Sequence, residues 1–324
     1  MKLKNSLAGC DFLENSIKVV SIVGPTASGK TKLSVELAKH FNGEIVSADS
    51  MQIYRGMQIA TAKPTKTEMD GIPHHMMDFL LPDKTYSVAS YVKDASECIA
   101  DIHSRGKLPF IVGGTGLYVD SLLNNVSFSD DKRDEEYCAE LRKIGEEEGA
   151  DKLLDMLSKF DPESAERLRD GRNIKRIIRA IEFYKTTGKT ITEQIKESHN
   201  VPSPYSAVKI GLNCRDRQVL YDRINRRVDI MLEEGLLEET QRVINSELSY
   251  TSVKAIGYKE LIPYFKENKN LNDCVEKLKM ETRRYAKRQI TWFKRDTEIN
   301  WIYIDEYNSF EEIYSQAKAI IERG

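Results

Sequence analysis

The chain has 324 residues, of which 40% are hydrophobic and 31% are charged, and its formal net charge at pH 7 is −2. This composition is typical of a soluble globular protein with a buried core, and any basic surface on it must be local. The five cysteines are far apart in the sequence, which predicts reduced thiols in a cytoplasmic protein and excludes a disulfide framework or a zinc site. No apolar run approaches the roughly 20 residues of a membrane span.

The first element with a clear pattern is the apolar run Ile17 to Val23, which predicts a strand covered on both faces of a parallel sheet. Residues 1–16 precede it and are polar, without the apolar segment or the cleavage site of a signal peptide. We interpret them as a partly mobile N-terminal leader and assign them no role.

A glycine-framed loop follows this strand and precedes an amphipathic run at residues 32–40; its sequence is Gly24-Pro25-Thr26-Ala27-Ser28-Gly29-Lys30-Thr31. Strand, loop and helix in this order are the context of a phosphate-binding loop. Backbone N–H groups and the helix N-terminus attract an anion, Lys30 adds a full charge, and the Thr31 hydroxyl can hold Mg²⁺. The loop therefore predicts a polyphosphate or diphosphate ligand, the alternative being a plain strand-to-helix turn.

Two later strands also end in residues suited to a ligand site. Residues 44–48 lead into Asp49, and residues 108–112 lead into the turn Gly113-Gly114-Thr115-Gly116. Ligands of open α/β sheets bind at this carboxyl edge, so we expect Asp49 to hold magnesium through water or to accept a proton. We expect the glycines to allow close approach of a ligand, the alternative being an ordinary glycine turn.

The reaction class stays open at this point. The strand before Gly113 lacks the magnesium-binding aspartate of a typical nucleotide hydrolase. A small-molecule kinase, a nucleic-acid-dependent NTPase and a transferase with a diphosphate donor are all compatible with the phosphate loop. The pair His74-His75 lies in a loop-rich stretch, residues 55–86, without the third ligand that a metal site needs, so we predict a structural loop there.

From residue 128 the composition changes, and no glycine-framed strand interrupts residues 130–200. We therefore predict an α/β fold with a phosphate-loop parallel-sheet core, residues 17–127 and 201–324, and an inserted helical subdomain, residues 128–200. Two basic helices on a nearly neutral chain predict a local polyanion site, the alternative being solvated faces. The first presents Arg172, Lys175, Arg176 and Arg179 opposite isoleucines, and the second presents Arg284, Lys287 and Arg288 beside Tyr285, Gln289 and Trp292, whose aromatic rings suit stacking on unpaired bases.

Taken together, seven motifs in order resemble the tRNA dimethylallyltransferase family. They span about residues 18–304 and are the phosphate loop, residues 49–57, Thr61-Ala62-Lys63-Pro64, residues 113–118, Arg179-Ala180-Ile181-Glu182, residues 255–259 and residues 283–293. The chain resembles the bacterial form and lacks the C-terminal zinc finger of many eukaryotic members. The resemblance implies transfer of a dimethylallyl group from dimethylallyl diphosphate to the exocyclic amine of the adenosine next to the anticodon on its 3′ side.

The resemblance also implies roles for individual residues. Lys30, Asp49 and Thr115 would be catalytic, with Asp49 taking the amine proton and Thr115 helping to place Asp49 and the amine. Diphosphate would bind to residues 24–31 and to Arg223, with Mg²⁺ near Thr31. The anticodon stem-loop of tRNA would contact Asp49, Ser50, Met51, Gln52, Thr115, Tyr137, Lys175, Arg176, Arg179, Lys254, Gly257, Tyr258, Arg283, Arg284, Lys287, Arg288 and Gln289.

Two functions from other classes are weighed against this one. A P-loop kinase would use ATP at the same loop, and an RNA-binding module without catalysis would leave Asp49 and Thr115 without a purpose. The expected partners are tRNA and dimethylallyl diphosphate, with no membrane, and the expected state is a cytoplasmic monomer.

Overall fold

The structure, a computed structural model, describes residues 16–126, 134–199, 202–246 and 255–324. Its centre is a six-stranded parallel sheet with the order β3-β2-β4-β1-β5-β6. The strands are β1 Ile17–Val23, β2 Gly43–Ser47, β3 His74–His75, β4 Leu108–Gly113, β5 Tyr205–Asn213 and β6 Asn300–Tyr303. The α/β class with a parallel sheet is therefore confirmed.

Helices connect and cover these strands. Those of the sheet-containing part are α1 Lys30–His40, α2 Lys66–Met69, α3 Val88–Ser104, α4 Gly116–Leu123, α10 Arg217–Glu233, α11 Leu236–Ile244, α12 Tyr258–Glu267, α13 Leu271–Phe293 and α14 Phe310–Arg323. Those of the helical part, between α4 and β5, are α5 Glu135–Glu147, α6 Gly149–Ser158, α7 Pro162–Arg169, α8 Ile174–Thr187 and α9 Ile191–His199. None of the described helices is long and apolar enough to cross a membrane.

Both faces of the sheet are buried, as the apolar character of β1 predicts. Val19 and Val23 pack with α3 and α4 on one face, whereas Val20 and Ile22 pack with α1 and α14 on the other. The chain builds β2, β3 and β4 on one side of β1 and β5 and β6 on the other. This reversal places the ligand crevice of an open α/β sheet at the carboxyl end of β1.

The contacts divide the chain into two compact units. One contains the described residues up to Leu123 together with Pro204–Gly324, and the other is Asn124–Ser203. The second unit is helical throughout its described part and has its own core, in which Leu141, Leu153 and Ile177 are fully buried. The leader, apart from Ser16, lies outside the described residues.

Two local expectations differ from the structure. His74 and His75 form the short edge strand β3 and not a loop, and His75 Nε2 lies 2.7 Å from the buried Glu44 carboxylate. Arg172 precedes α8, at a positive φ of 41°, so it is not part of the basic helical face. Asn173 begins the helix instead, because its side chain accepts the backbone N–H of Arg176.

Candidate active site

The phosphate loop turns tightly between β1 and α1. Gly24 and Gly29 have φ values of 141° and 91°, in the region that favours glycine. A Cβ atom at Gly24 would lie 2.3 Å from the carbonyl oxygen of Leu212, so the loop also needs glycine for packing. Lys30 Nζ donates hydrogen bonds to the carbonyl oxygens of Gly24, at 3.0 Å, and Pro25, at 2.7 Å. These bonds hold the ammonium group against the phosphate loop, where we expect it to contact a bound diphosphate.

Two arginines of α10 join Lys30 at this loop. Arg223 Nε donates to the carbonyl oxygen of Ala27 at 2.8 Å, so this predicted diphosphate-binding residue lies against the phosphate loop. We call the phosphate loop with the cationic side chains beside it the diphosphate cradle. Arg227, one helical turn later, lies close enough to act electrostatically on both Lys30 and Asp49. Burial, with the Arg227 charge adding to it, lowers the pKa of Lys30 to about 7, whereas the Asp49 charge opposes this. Lys30 and Arg223 therefore contact the phosphate loop, and Arg227 lies nearby, with a hydrogen bond to the carbonyl oxygen of Ala62 at 3.4 Å.

Sequence reasoning missed Arg227 as a site residue. The signal was present, because Arg223 and Arg227 are four residues apart and so share one face of a helix. The pattern of alternating arginines and apolar residues along α10 did not distinguish the half-buried Arg227 from Arg223 and Arg226, which are exposed.

Asp49 follows β2 at the same edge of the sheet. Its Oδ1 accepts the backbone N–H groups of Met51, at 2.8 Å, and Gln52, at 3.3 Å. Burial raises the pKa of Asp49, and these two N–H donors oppose the rise together with the charges of Lys30 and Arg227. Within the described residues no hydrogen bond reaches Oδ2, so this oxygen remains able to accept a proton.

Thr115 forms hydrogen bonds with the backbone on both sides of Asp49. Its N–H donates to the carbonyl oxygen of Ala48 at 3.1 Å, and its Oγ1 accepts the N–H of Ser50, also at 3.1 Å. Thr115 therefore orients the residues on both sides of Asp49. The predicted placing role has this geometric basis, although the contact is to the neighbours and not to the carboxylate.

The glycines of the Gly113–Gly116 turn are required for packing within the protein, whereas the expected close approach of a ligand stays a prediction. A Cβ atom at Gly113 would lie 2.2 Å from the carbonyl oxygen of Ala48, and one at Gly114 would lie 2.0 Å from Nε2 of Gln289. A Cβ atom at Gly116 would lie 2.1 Å from Cδ1 of Trp292. The protein's own strand and helix fill the space around this turn, so close packing requires the glycines.

Helix α13 therefore turns two of its predicted recognition side chains inward. Gln289 is 5% exposed, and its carboxamide accepts the N–H of Thr26 and donates to the carbonyl oxygen of Gly114. Trp292 is half-buried and donates its indole N–H to Asp120 at 2.6 Å. The Arg295 guanidinium lies 4.2 Å from its ring centroid, so one face of the ring is already occupied. Tyr285 lies near the site: burial raises its pKa, the Asp49 charge adds to this, and contacts with Thr115 and Gln289 oppose it.

The loop at residues 57–62 is held by a buried carboxylate. Glu239, 1% exposed, accepts the N–H groups of Gln58, Ile59 and Ala60 and the hydroxyl of Tyr258. Both Gly257 and Tyr258 are buried, so the Tyr258 side chain does not present a surface to a partner. Sequence patterns gave no indication of Glu239.

Gln52 links that loop to Asp49. Its Nε2 donates to the carbonyl oxygens of Thr61, at 3.3 Å, and Ala62, at 3.2 Å, and its Oε1 accepts the hydroxyl of Ser47 at 3.2 Å. Ser50 and Met51 are half-buried between Asp49 and Gln52. The predicted segment 49–52 therefore lies at the carboxyl edge of the sheet, with the Gln52 carboxamide engaged by the protein.

The remaining predicted tRNA contacts on the sheet-containing unit are basic side chains of α13. Arg284, Lys287 and Arg288 are exposed, and Arg284 pairs with Glu281 on the same helix. Arg283 is half-buried and donates to Asn225 at 2.6 Å. Lys254 lies outside the described residues. A compact exposed set of three cations therefore remains on this helix.

The helical unit has its own basic face on α8. Lys175, Arg176 and Arg179 are exposed, whereas Ile177, Ile178 and Ile181 are buried, as the spacing predicts. Arg179 pairs with the buried Glu182. Tyr137 is half-buried, with the Lys185 ammonium 3.7 Å from its ring centroid.

The donor set for a metal ion is sparse. The described residues contain no group of three or more His, Cys, Asp or Glu side chains that could hold one. Thr31 is half-buried at the start of α1, and no hydrogen bond to its side-chain hydroxyl occurs within the described residues. A hydroxyl beside a phosphate loop fits Mg²⁺, which is bound by few protein groups and completed by phosphate oxygens and water.

This parallel sheet, with a phosphate loop at its reversal point and a carboxylate at the same edge, defines a P-loop protein. Two family models match the chain: "IPP transferase" at residues 52–296 and "Isopentenyl transferase" at residues 17–79. The first covers more than half of the chain, and the chain belongs to the IPP transferase family.

Individual relatives agree with this assignment. The chain is 49% identical to the tRNA dimethylallyltransferase of Thermoanaerobacter sp. over 92% of its own length and 95% of the relative's. It is similar to the crystal structure of the full-length tRNA isopentenylpyrophosphate transferase of Bacillus halodurans, with 45% identity, a TM-score of 0.68 and coverage of 94% and 97%. It is also similar to a eukaryotic dimethylallyltransferase acting on tRNA, with 29% identity, a TM-score of 0.78 and coverage of 95% and 80%.

Proposed function

We propose that this protein transfers a dimethylallyl group from dimethylallyl diphosphate to the exocyclic amine of the adenosine 3′-adjacent to the anticodon in tRNA. The amine nitrogen forms a bond to C1 of the dimethylallyl group, and the bond from C1 to the diphosphate oxygen breaks. Its electron pair leaves with the diphosphate, and the amine gives up one proton. The observation that carries the proposal is that the phosphate loop with Lys30 and the Asp49 carboxylate lie at one edge of the sheet, in a member of this family.

Asp49 supplies the proton acceptor. Its Oδ1 is oriented by two backbone N–H groups, and the nearby positive charges of Lys30 and Arg227 favour its ionised form. A carboxylate held in this way is suited to take the proton as the nitrogen–carbon bond forms. Thr115 keeps the backbone on both sides of Asp49 in place.

Lys30, Arg223 and Arg227 stabilise the leaving group. Charge grows on the diphosphate oxygen as the bond to C1 breaks, and fixed cations beside it lower the energy of that transition state. A magnesium ion at Thr31, when bound, would supply further positive charge. Arg223 and Lys30 are already engaged with loop carbonyls, so little rearrangement is needed to form the cradle.

The two basic helix faces bind the anticodon stem-loop. Each exposes cations on one side while its apolar residues are buried, and phosphate contacts of this kind supply most of the affinity for nucleic acid. The target adenine must leave its stack to reach Asp49, as base-modifying enzymes generally require. We further propose that the protein modifies tRNA in the cytoplasm and that it acts as a monomer.

A label-transfer assay tests the proposal against the kinase alternative. The protein is incubated with an anticodon stem-loop and either dimethylallyl diphosphate labelled in the prenyl group or ATP labelled in the γ-phosphate. We expect the prenyl label to move to the RNA, and the ATP label to stay in ATP. Transfer of the phosphate label to an acceptor, without prenyl transfer, would contradict the proposal.

A further inference from the structure

Gln289 joins two turns that leave neighbouring strands of the sheet. Its Oε1 accepts the N–H of Thr26 in the phosphate loop at 2.9 Å, and its Nε2 donates to the carbonyl oxygen of Gly114 at 3.0 Å. The pairing of β1 with β4 ends at Val23 and Gly113, so the two turns lie beyond the last paired residues. One buried carboxamide therefore connects them where the ladder of backbone hydrogen bonds has ended.

Packing holds this carboxamide in place. Gln289 is 5% exposed, and its Nε2 occupies the space that a Cβ atom at Gly114 would need. Ala286 and Phe293, one turn before and one turn after it on α13, are buried as well. Both polar ends of Gln289 are engaged inside the protein, so it is not positioned to contact RNA.

The two turns carry opposite sides of the reaction. The phosphate loop holds the donor, whereas Gly114 is bonded directly to Thr115, which fixes Ser50 beside Asp49. We propose that Gln289 is a positioning residue that sets the separation between the diphosphate cradle and the proton acceptor. The inference rests on the proposed function for the chemistry, but the bridge itself is testable without it.

Gln289→Met removes both hydrogen bonds while keeping a similar volume and no charge. We expect amide hydrogen exchange in the peptide containing Thr26 to become about fivefold faster or more, because one protecting bond is lost. Single-turnover prenyl transfer should fall about tenfold to a hundredfold, because a small misplacement of reacting groups is costly. The dissociation constant for the stem-loop should not change. Phe293→Leu is the matched control on the same helix; it should lose stability and keep the transfer rate.

Gln289→Glu gives a signature that general destabilisation would not produce. A protonated glutamic acid can donate to the Gly114 carbonyl and accept from Thr26, whereas a carboxylate can only accept. The transfer rate of this variant, divided by the wild-type rate, should therefore rise as the pH falls from about 8 to about 5.5, since the acid form restores the bridge. The same ratio for Gln289→Met should be independent of pH.

Gly114→Ala attacks the bridge from the other side, because its Cβ would displace Nε2 of Gln289. Gly171→Ala is the matched control, since nothing lies within 4 Å of a Cβ atom there and its φ is not positive. We expect Gly114→Ala to reproduce both effects of Gln289→Met, and Gly171→Ala to reproduce neither.

Three results would overturn the positioning role: unchanged exchange of the Thr26 peptide in Gln289→Met, faster exchange with an unchanged transfer rate, or a loss confined to affinity for the stem-loop. A wild-type protein that transfers no dimethylallyl group would instead overturn the proposed function. In that case two other measurements test the bridge: amide hydrogen exchange in the Thr26 peptide and affinity for inorganic diphosphate. The affinity should fall in Gln289→Met and stay constant in Phe293→Leu.

Discussion

Asp49, just after β2, and Lys30, at the start of the helix that follows β1, act on each other's ionisation across the intervening strand β4. The Asp49 charge raises the pKa of Lys30, and the Lys30 charge lowers the pKa of Asp49, while burial works in the opposite direction on both. Each group therefore helps its neighbour to remain charged at an edge that is partly shielded from water. An anion bound at Lys30 and a proton accepted by Asp49 are consequently linked events.

Asp49→Asn should impair chemistry and leave binding nearly unchanged. The amide keeps the shape and one acceptor oxygen, but it cannot take the proton as a carboxylate does. General base catalysis contributes about a hundredfold to ten-thousandfold, so we expect a fall of that size in the single-turnover rate. Dissociation constants for the stem-loop and for dimethylallyl diphosphate should stay within about threefold, because uniform binding is preserved.

A magnesium titration distinguishes the proton-acceptor role of Asp49 from a purely metal-ordering role. If Asp49 only helped to order the ion, excess magnesium would restore the variant to nearly the wild-type rate, and the base assignment would be wrong. A normal rate without added magnesium would remove Asp49 from the mechanism altogether.

Binding of diphosphate at alkaline pH should be accompanied by proton uptake. The pKa of Lys30 is lowered to about 7 in the free protein, so its side chain is mostly neutral at a pH above that value. A bound anion favours the charged form, so near pH 8 we expect close to one proton, about 0.5 to 1, to be taken up per diphosphate bound. Affinity should accordingly weaken as the pH rises through 7.

Calorimetry in buffers with different ionisation enthalpies measures this proton uptake. Lys30→Met provides the comparison, because it keeps the length of the side chain and has no proton to gain. Equal uptake by wild type and Lys30→Met would assign the proton to another group. Lys30→Met should also lower turnover about a hundredfold, as loss of one transition-state charge contact commonly does.

Arg176→Ala should weaken stem-loop binding and make it less sensitive to salt. Each phosphate contact releases counterions, so losing one reduces the slope of log affinity against log salt by about 0.7 to 0.9. Arg176 is a cleaner target than Arg179, whose removal would also leave the buried Glu182 without its ion-pair partner. Lys143→Ala, exposed on α5, is the control and should leave the slope unchanged. An unchanged slope in Arg176→Ala would make this face an ordinary solvated one.

Glu239→Gln should destabilise the sheet-containing unit. Three backbone N–H groups and the Tyr258 hydroxyl converge on this carboxylate, and an amide would turn one of its own donors toward them. We expect a loss of about 2 to 3 kcal/mol in the free energy of unfolding, measured by urea denaturation. The exposed neighbour Glu238→Gln should change it by less than about 0.5 kcal/mol. Equal effects would show that the buried contacts contribute little.

The parts that were predictable from sequence depend on neighbours along the chain. The phosphate loop requires glycine, lysine and threonine at fixed spacing, and the α8 face follows from helical periodicity, so both were visible without a structure. Asp49 was identifiable because it directly follows an apolar strand.

The parts that were missed depend on packing between distant segments. Spacing alone could not reveal that Gln289 turns inward to Thr26, that Tyr258 is covered by Glu239, or that the glycines beside Thr115 accommodate α13. In each case, a side chain that the sequence suggested to be a surface contact is instead the partner of a buried group on another segment of the chain.

Gly114 and Gln289 are 175 residues apart in the sequence, yet they fit so closely that they can be exchanged between relatives only as a pair. A chimaera that takes α13 from one relative and the turn after β4 from another risks pairing a side chain with a space that was never made for it. Directed-evolution libraries that vary residues 113–116 should therefore vary 289 and 292 at the same time. Functional combinations will otherwise be lost, even though each half of the pair is sound in its own parent.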